Sequence, residues 1–219
     1  DKCTGSNYTG VGGSSTFQVK QSTNLPSELD DGTFQNKVSN CFSINGGTGF
    51  STQQGQDVQF TNITAINPQR YGLSINSTDR VNINGFNVQN WGSDLVNSPL
   101  QNGDVACAAV VVWAGSTRCA INDLNLFLDT GHDVSQLDVV GNHGTSTSLG
   151  SVKVRKNAVS GLISAGLRNS GANLFVSEDF RLESSGYVDF VVDSTTTTDY
   201  PINNTIRYNN VSAVKVPFD

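Results

Sequence analysis

The densest group of residues that could do chemistry lies between positions 129 and 143. Carboxylate and imidazole side chains follow one another there, at Asp129, His132, Asp133, Asp138 and His143. Such a set could supply the acid and base of sugar hydrolysis, which needs two carboxylates around the scissile bond. It could also form a sugar-binding loop at His132 and Asp133. Ca²⁺, which takes oxygen ligands, could bind to Asp129, Asp133 and Asp138. Solvated turn residues in a glycine-rich insertion are the interpretation that we favour.

Two other charged groups are expected to lie on strand faces. One is acidic around an arginine and the other is basic: Glu178, Asp179, Arg181 and Glu183, and Lys153, Arg155 and Lys156. On strands, such residues usually form cross-strand ion pairs or solvated faces. The chain has 13 basic and 19 acidic residues and a net charge of −6, so we expect no nucleic-acid partner.

Three aromatic residues are candidates for stacking on sugar rings. They are Tyr71, Trp91 and Trp113. Trp113 ends an apolar run, so we predict that it belongs to the core. Trp91 precedes an insertion, so we predict that it is exposed and is the better residue for substrate binding.

Cysteine and sequon content indicates an oxidising, extracellular compartment. The four cysteines fit two disulfides, for which we favour Cys3–Cys41 and Cys107–Cys119, although other pairings and free buried thiols remain open. Five sequons would allow N-glycosylation at Asn7, Asn62, Asn76, Asn203 and Asn210. The chain lacks Met and starts at Asp1, which suggests removal of a signal peptide or a propeptide. Its longest apolar run, residues 105–114, is too short to span a membrane.

A repeated pattern must position all of these residues. The pattern apolar-x-apolar-x-x-apolar recurs six times, with its last position loose in two copies: Val58/Phe60/Ile63, Val81/Ile83/Phe86, Cys119/Ile121/Leu124, Val152/Val154/Asn157, Leu174/Val176 and Ile206/Tyr208/Val211. The copies start 23, 38, 33, 22 and 32 residues apart, which is a unit of about 22 residues with insertions. Repeats of this length are typical of solenoids, in which each unit buries its apolar side against its neighbours.

Each unit carries a second strand-like stretch after the first. These second stretches are residues 71–75, 109–113, 137–140, 162–167 and 187–192, and polar turns separate them from the next unit. The arrangement predicts an all-β fold, a right-handed parallel β-helix of about six coils, with a β-sandwich or jelly roll as the alternative. We predict an N-terminal cap over residues 1–55 and the β-helix over residues 56–219.

Residues 60–91, FTNITAINPQRYGLSINSTDRVNINGFNVQNW, resemble coils of the pectate-lyase-like β-helix superfamily and in particular of the polygalacturonase family. The resemblance implies a β-helix and the activity of a secreted polysaccharide hydrolase or lyase. It places the family's catalytic positions at or near Asp104, Asp123 or Asp129, His143 and Arg168. The chain departs from the family because the second Asp of the adjacent pair is missing and the Arg-x-Lys clamp is reduced to Arg168.

Two functions follow from these observations. The first is a glycosylated extracellular β-helix protein without catalytic activity, serving as an adhesin or as a self-assembling subunit of a surface fibre. The alternative is a secreted polysaccharide hydrolase or lyase. Neither requires a cofactor, although Ca²⁺ would fit the acidic loop. The expected partners are further copies of the chain, other surface proteins, or a polysaccharide.

Overall fold

The computed structural model describes the backbone in five stretches and in seven later strands. The stretches are residues 3–6, 15–20, 36–93, 107–129 and 137–150, and the later strands lie within residues 152–215. In chain order, the strands are β1 (Cys3–Ser6), β2 (Ser15–Lys20), β3 (Asn36–Ser39), β4 (Cys41–Ile44), β5 (Thr48–Gln53), β6 (Gln56–Ile66), β7 (Tyr71–Asn76), β8 (Asp79–Gln89), β9 (Cys107–Val112), β10 (Ala120–Leu128), β11 (Leu137–Asn142), β12 (Ser148–Leu149), β13 (Val152–Lys156), β14 (Ala165–Asn169), β15 (Phe175–Val176), β16 (Phe180–Leu182), β17 (Phe190–Val192), β18 (Thr205–Ile206) and β19 (Val214–Lys215). This part of the chain contains no helix, and therefore no helix that could span a membrane.

The strands form two sheets, and each strand pairs with strands from neighbouring repeats. Sheet A follows the order β1-β4-β6-β8-β10-β12-β15-β18, with β3, β13 and β16 alongside, and sheet B follows β2-β5-β7-β9-β11-β14-β17-β19. We call one passage of the chain through sheet A and then sheet B a lap. Every pairing among these strands is parallel, unlike the antiparallel pairing of a sandwich or jelly roll.

Each predicted stretch overlaps a strand of the described residues. The strands that overlap the first stretches belong to sheet A, and those that overlap the second stretches belong to sheet B. The prediction of an all-β fold is therefore confirmed. The predicted boundary at residues 55/56 lies between β5 and β6, and strands on either side of it belong to the same two sheets. The division into cap and β-helix remains a prediction.

A left-handed residue explains why the repeat contains x-x instead of strict alternation. In β6, Val58, Phe60, Ile63 and Ala65 are buried, and Asn62 interrupts the alternation with a φ of 51°. The corresponding residue has a φ of 74° at Gly85 in β8 and 52° at Asp123 in β10. The extra residue shifts the inward face by one position, as a β-bulge does.

Apolar residues lie in register from lap to lap. In the backbone register, the sheet A column is Val38, Phe60, Ile83, Ile121, Leu149, Val176 and Ile206. The sheet B column is Phe17, Phe50, Leu73, Val110, Val140, Leu167, Phe190 and Val214. From the second to the fifth member, each side chain in both columns is at most 1% exposed and belongs to the core. Because parallel strands stand about 4.8 Å apart, these buried side chains pack on one another from lap to lap.

Corners between strands repeat with the same period as the sequence pattern. Left-handed residues recur at Asn45, Asn67 and Asn90, which are 22 and 23 residues apart. Another row is Asp57, Arg80, Arg118 and Ser146, in which the second step is 38 residues. Asparagine tolerates this conformation better than most residues other than glycine. The longer step reflects residues 94–106, which lie outside the described part of the chain.

Candidate functional site

A groove on the outer face of sheet A is lined by side chains that could bind a ligand. It has a volume of about 370 Å³ and spans β6, β8 and β10. Two columns of outward residues form it in register, Thr64–Asn87–Asn125 and Ile66–Gln89–Phe127. We call these six residues the sheet A groove. The column Thr64–Asn87–Asn125 is polar, and the column Ile66–Gln89–Phe127 adds apolar surface from Ile66 and Phe127.

The amide side chains of the groove are arranged to accept and donate hydrogen bonds. Asn87 and Asn125 are exposed, and Asn125 Nδ2 makes a long contact of 3.4 Å with the main-chain oxygen of Asp123. Gln89 is half-buried, and its Nε2 donates to Asp129 Oδ2 at 2.9 Å. An amide offers both a donor and an acceptor, so adjacent amides could bind the hydroxyl groups of a polyol.

An asparagine ladder borders the groove where sheet A ends. Asn67 Nδ2 donates to Asn45 Oδ1, and Asn90 Nδ2 donates to Asn67 Oδ1, each at 3.2 Å. Asn90 Nδ2 also donates to Asp129 Oδ2 at 2.7 Å, while the main-chain N–H of Asp129 donates to Asn90 Oδ1 at 2.8 Å. With Gln89, two amides thus hold the Asp129 carboxylate in place.

Two segments outside the described residues begin close to this ladder. Residues 94–106 follow Ser93 and residues 130–136 follow Asp129, and the description resumes in sheet B at Cys107 and at Leu137, which are register partners. The two segments contain the predicted site residues Asp104, His132 and Asp133.

Asp123 and Asp129 are too far apart to form a glycosidase pair. Asp123 is the fourth residue of β10 and Asp129 follows its last residue, so the two are six residues apart, which corresponds to roughly 20 Å of extended chain. An inverting pair is separated by about 6.5–9.5 Å. Asp123 is exposed on the bulge, whereas Asp129 is half-buried at the ladder. These two carboxylates do not act on the same bond.

The other two positions suggested by the family resemblance lie in sheet B. His143 follows β11, and Arg168 lies within β14, where it pairs in register with Gly141. The groove and both aspartates belong to sheet A. The structure therefore does not bring the four described positions, Asp123, Asp129, His143 and Arg168, together in one site.

The two tryptophans differ in burial. Trp91 is 0% exposed, and its Nε1 donates to the main-chain oxygen of Asp138 at 2.8 Å, so it is a core residue and the prediction of an exposed Trp91 is wrong. Trp113 is half-buried and packs against the buried cluster of Tyr71, Ala108 and Val111, so it is a core residue only in part. Trp91 turns inward at the end of sheet A, where it fills the space beneath β11, whereas Trp113 follows the last residue of β9 at a corner.

An aromatic row on the outside of sheet B contains Trp113. Its ring stacks on His143 at a centroid distance of 5.5 Å and meets Tyr71 edge-on at 5.9 Å. Trp113 Nε1 donates to Ser74 Oγ at 3.0 Å, and Arg70 lies 5.1 Å from the centre of the Tyr71 ring. His143 covers one face of the Trp113 ring, and Tyr71 and Ser74 also contact this side chain, so we interpret the row as a packing cluster.

Two of the predicted disulfide cysteines are free thiols. Cys107 and Cys119 are at most 1% exposed and unbonded, so the predicted Cys107–Cys119 bridge is wrong. Cys107 begins β9 in sheet B, whereas Cys119 precedes β10 of sheet A, and the corner between the sheets separates them. Burial raises the pKa of each thiol to about 12. Their position makes both cysteines part of the core.

The other predicted bridge agrees with the backbone register. Cys41 is disulfide-bonded, and Cys3 is its direct register partner in the pairing of β1 with β4. The side chain of Cys3 lies outside the described residues, so the Cys3–Cys41 bridge stays a prediction.

A ladder of ion pairs, which the sequence did not reveal, lies at one corner of sheet A. Arg80 binds Asp57 through two hydrogen bonds of 2.5 and 2.6 Å and reaches Asp79 at 2.8 Å. Arg118 in turn makes a two-pronged contact with Asp79, with Nε at 2.7 Å from Oδ1. The hydrogen bond from Arg80 lowers the pKa of Asp57. Burial would raise the pKa of Asp79, but hydrogen bonds from Arg118 and Thr117 outweigh it and lower that pKa.

The spacing of this ladder carried a signal that sequence inspection did not use. Asp57, Arg80 and Arg118 are the left-handed residues of one corner row, separated by the 23- and 38-residue steps of the repeat. A shallow groove of about 490 Å³ runs beside them and includes Lys37 and Asn82. Because the arginines and aspartates already bind one another, the ladder stabilises the corner and leaves the sheet A groove as the candidate site.

The remaining candidates are described only in part. Asn62 and Asn76 are exposed, whereas Asn7, Asn203 and Asn210 lie outside the described residues. Asp138 is 2% exposed, and Asp133 is outside the described part, so the Ca²⁺ site formed with Asp129 stays a prediction. Within the described stretches, no three His, Cys, Asp or Glu residues group closely enough to hold a metal ion. In the backbone register, Lys153 stands beside Asn125, and Arg155 stands beside Phe127.

Comparison with known proteins adds no relative. No protein-family model, curated protein or solved structure matches the chain.

Proposed function

We propose that this chain is a right-handed parallel β-helix secreted as an extracellular adhesin, and that its sheet A groove binds a polysaccharide without cleaving it. Parallel pairing, two sheets visited in turn and a lap of 22–23 residues support the β-helix. We infer a right-handed helix because crossover connections between parallel strands are almost always right-handed. The proposed function depends chiefly on the groove, in which a column of amide and hydroxyl groups lies next to a partly apolar column.

The periodicity of the groove suits a linear polymer. Thr64, Asn87 and Asn125 present a hydrogen-bonding group once per strand, at intervals of about 4.8 Å. This spacing is close to the length of one sugar unit in an extended chain. A polysaccharide lying across the strands would therefore meet equivalent groups at each step, while Phe127 and Ile66 would contact the apolar faces of its rings.

Binding without cleavage accounts for the carboxylates of the described residues. Gln89 and Asn90 bind the Asp129 carboxylate, and Asp123 lies six residues earlier, roughly 20 Å away along an extended strand. Their positions suit structural and surface roles. Glycosylation at the exposed Asn62 and Asn76, and a secreted location, belong to the same proposal. The partners would be polysaccharide and other surface proteins, with Ca²⁺ as an optional ligand of the acidic loop.

The alternative is a secreted polysaccharide hydrolase or lyase, and one observation favours it. The segments that carry Asp104, His132 and Asp133 begin directly after Ser93 and Asp129, and Asp129 binds the groove residue Gln89. A carboxylate from one insertion could then act with Asp129 on a bound chain. Under this alternative, Asp129→Asn would abolish product formation and leave binding intact.

Affinity electrophoresis through gels that contain neutral or acidic polysaccharides tests the proposal. At least one polysaccharide should retard the protein, without release of reducing ends or unsaturated products. The double variant Asn87→Ala/Asn125→Ala should weaken binding about 10-fold, because each lost hydrogen bond contributes about 0.5–1.5 kcal/mol. Asn84→Ala, an exposed asparagine on the same β8 strand but outside the groove, is the matched control. No retardation by any polysaccharide, or equal loss in the control, would contradict the proposal.

A further inference from the structure

An exposed phenylalanine continues the polar column of the groove by one strand. Phe42 of β4 is the register partner of Thr64, and Asn87 and Asn125 follow Thr64 in register. The Phe42 side chain is 38% exposed and lies between two buried residues of β4. Because side chains alternate along a strand, and Thr64 likewise lies between buried neighbours, Phe42 and Thr64 face the same outer side of sheet A.

Apolar surface adjoins the groove at both of its ends. At the β4 end, Ile44 stands two residues after Phe42 and pairs in register with the groove residue Ile66. At the β10 end, the half-buried ring of Phe127 lines the groove. Three strand spacings separate β4 from β10, and Phe127 is also offset by two residues from the column of Phe42, so the two phenylalanine positions are roughly 16 Å apart.

The groove between the two phenylalanines suits an uncharged ligand. Its six residues have only hydroxyl, amide and apolar side chains. Gln89 donates to the Asp129 carboxylate at 2.9 Å, and this negative charge would repel a carboxylate or sulfate group bound nearby. A sugar ring whose hydroxyl groups are all equatorial has C–H groups on both faces and polar groups around its edge. Its faces can stack on aromatic side chains while its edge binds to amides.

We propose that the sheet A groove extends to Phe42 and binds a neutral β-1,4-linked polysaccharide of sugars with equatorial hydroxyl groups. Such a polymer forms an extended, flat chain. About four of its units span the strand spacings from β4 to β10, with one ring stacked on Phe42 and another on Phe127. Asn87 and Gln89 bind the units between them. The inference rests on the proposed binding of a polysaccharide and names the class of that polymer.

Isothermal titration calorimetry with β-1,4-linked glucose oligosaccharides, from the disaccharide to the hexasaccharide, tests the proposal. The affinity of the wild type should rise with length up to about four units and then level off, because longer chains extend past both phenylalanines. Phe42→Ala should weaken binding of the tetrasaccharide about 5- to 10-fold, whereas Phe42→Trp, which keeps an aromatic face, should bind at least as tightly as the wild type. α-1,4-linked glucose oligosaccharides of the same lengths should not bind measurably, because this linkage coils the chain.

The matched control is Phe175→Ala, which makes the same truncation outside the groove. Phe175 is 41% exposed on β15 of the same sheet, where it pairs in register with Ser148. This variant should bind the tetrasaccharide like the wild type. Urea denaturation should give Phe42→Ala and Phe175→Ala similar stabilities, which shows that a loss of binding in Phe42→Ala does not come from unfolding.

The outcomes distinguish this inference from the proposed function. Wild-type affinity in Phe42→Ala, together with weaker binding by Asn87→Ala/Asn125→Ala, would overturn the inference and leave the groove as a polysaccharide site. Tighter binding of a polyuronate than of the neutral polymer would do the same, and it is tested because Lys153 and Arg155 occupy the register positions after Asn125 and Phe127. Failure of the wild type to bind any polysaccharide would contradict the proposed function itself, and the inference with it.

Discussion

Asn90 and Asp129 hydrogen-bond to each other in both directions across neighbouring laps. Asn90 Nδ2 donates to Asp129 Oδ2 at 2.7 Å, and the Asp129 main-chain N–H donates to Asn90 Oδ1 at 2.8 Å. The two residues are 39 positions apart, and each stands shortly before a segment that lies outside the described residues. Their contact joins the ends of β8 and β10 beside the groove residue Gln89, which also binds Asp129.

Two replacements of Asn90 should distinguish the stabilisation by this contact from the effect of the left-handed backbone at the same position. Asn90→Ala should lower the free energy of unfolding by about 1–3 kcal/mol, because it leaves polar groups of Asp129 without their partners. Asn90→Gly loses the same bonds but tolerates the φ of 51°, so it should be less destabilising by about 1 kcal/mol. Urea denaturation measures both. Equal stability of the two variants would contradict a strained left-handed Asn90.

The ion-pair ladder should make the protein sensitive to acid. The pKa of Asp57 and that of Asp79 are lowered from 3.8 in the folded state, so their stabilisation is complete above about pH 4 and is lost as the pH falls through the folded pKa values. Asp57→Asn should therefore be less stable than wild type at neutral pH, and the difference should disappear in strong acid. Denaturation curves between pH 2 and pH 7 measure this.

The control for the ladder is Asp123→Asn, which alters an exposed carboxylate on the β10 bulge. Its effect on stability should be small at every pH. Salt should also reduce the difference between Asp57→Asn and wild type, because the ladder is partly exposed to solvent. A difference between these two proteins that stays constant as the pH falls from 7 into strong acid would contradict the charge of Asp57 as its cause.

The two tryptophans should differ in both stability and fluorescence. Trp91→Ala should destabilise the protein by about 3–5 kcal/mol, the usual cost of removing a large buried aromatic side chain. Trp113→Ala should cost less, because Trp113 is half-buried. Acrylamide should quench the fluorescence of the Trp91→Phe variant, which retains Trp113, more strongly than that of Trp113→Phe. The reverse order of quenching would show that the exposed tryptophan is Trp91.

The buried thiols should be unreactive until the protein unfolds. With a pKa of about 12 for Cys107 and for Cys119, only about one thiol in ten thousand is a thiolate at pH 8. A thiol reagent should therefore label neither cysteine in the native protein and should label both after denaturation without reductant. Cys107→Ser should remove one of the two labels. No labelling of the denatured protein would indicate that these cysteines form a disulfide after all.

The sequence predicted which groove residues face outward, but not which of them lie together. The repeat placed Asn87 and Asn125 on outward positions of successive strands, because each follows a buried pattern residue by one position. Which outward residues share a groove depends on the register between laps, and residues 94–106 change the sequence separation from 23 to 38 without changing that register. Sequence inspection instead selected Trp91, whose ring turns inward beneath β11.

The order of strands, their assignment to two sets and the length of the lap were determined by the sequence itself. These features are local, because alternation along a strand and a left-handed residue at a bulge or corner leave a pattern within a few positions. Contacts between laps were decided only by the tertiary structure. The free thiols of Cys107 and Cys119, the Asp57–Arg80–Asp79–Arg118 ladder and the bond between Asn90 and Asp129 depend on which residues stack 4.8 Å apart, about one strand spacing. The stacked residues are not evenly spaced in the sequence, because insertions of different lengths separate the laps. Hydrogen bonding between the parallel strands sets which residues stack.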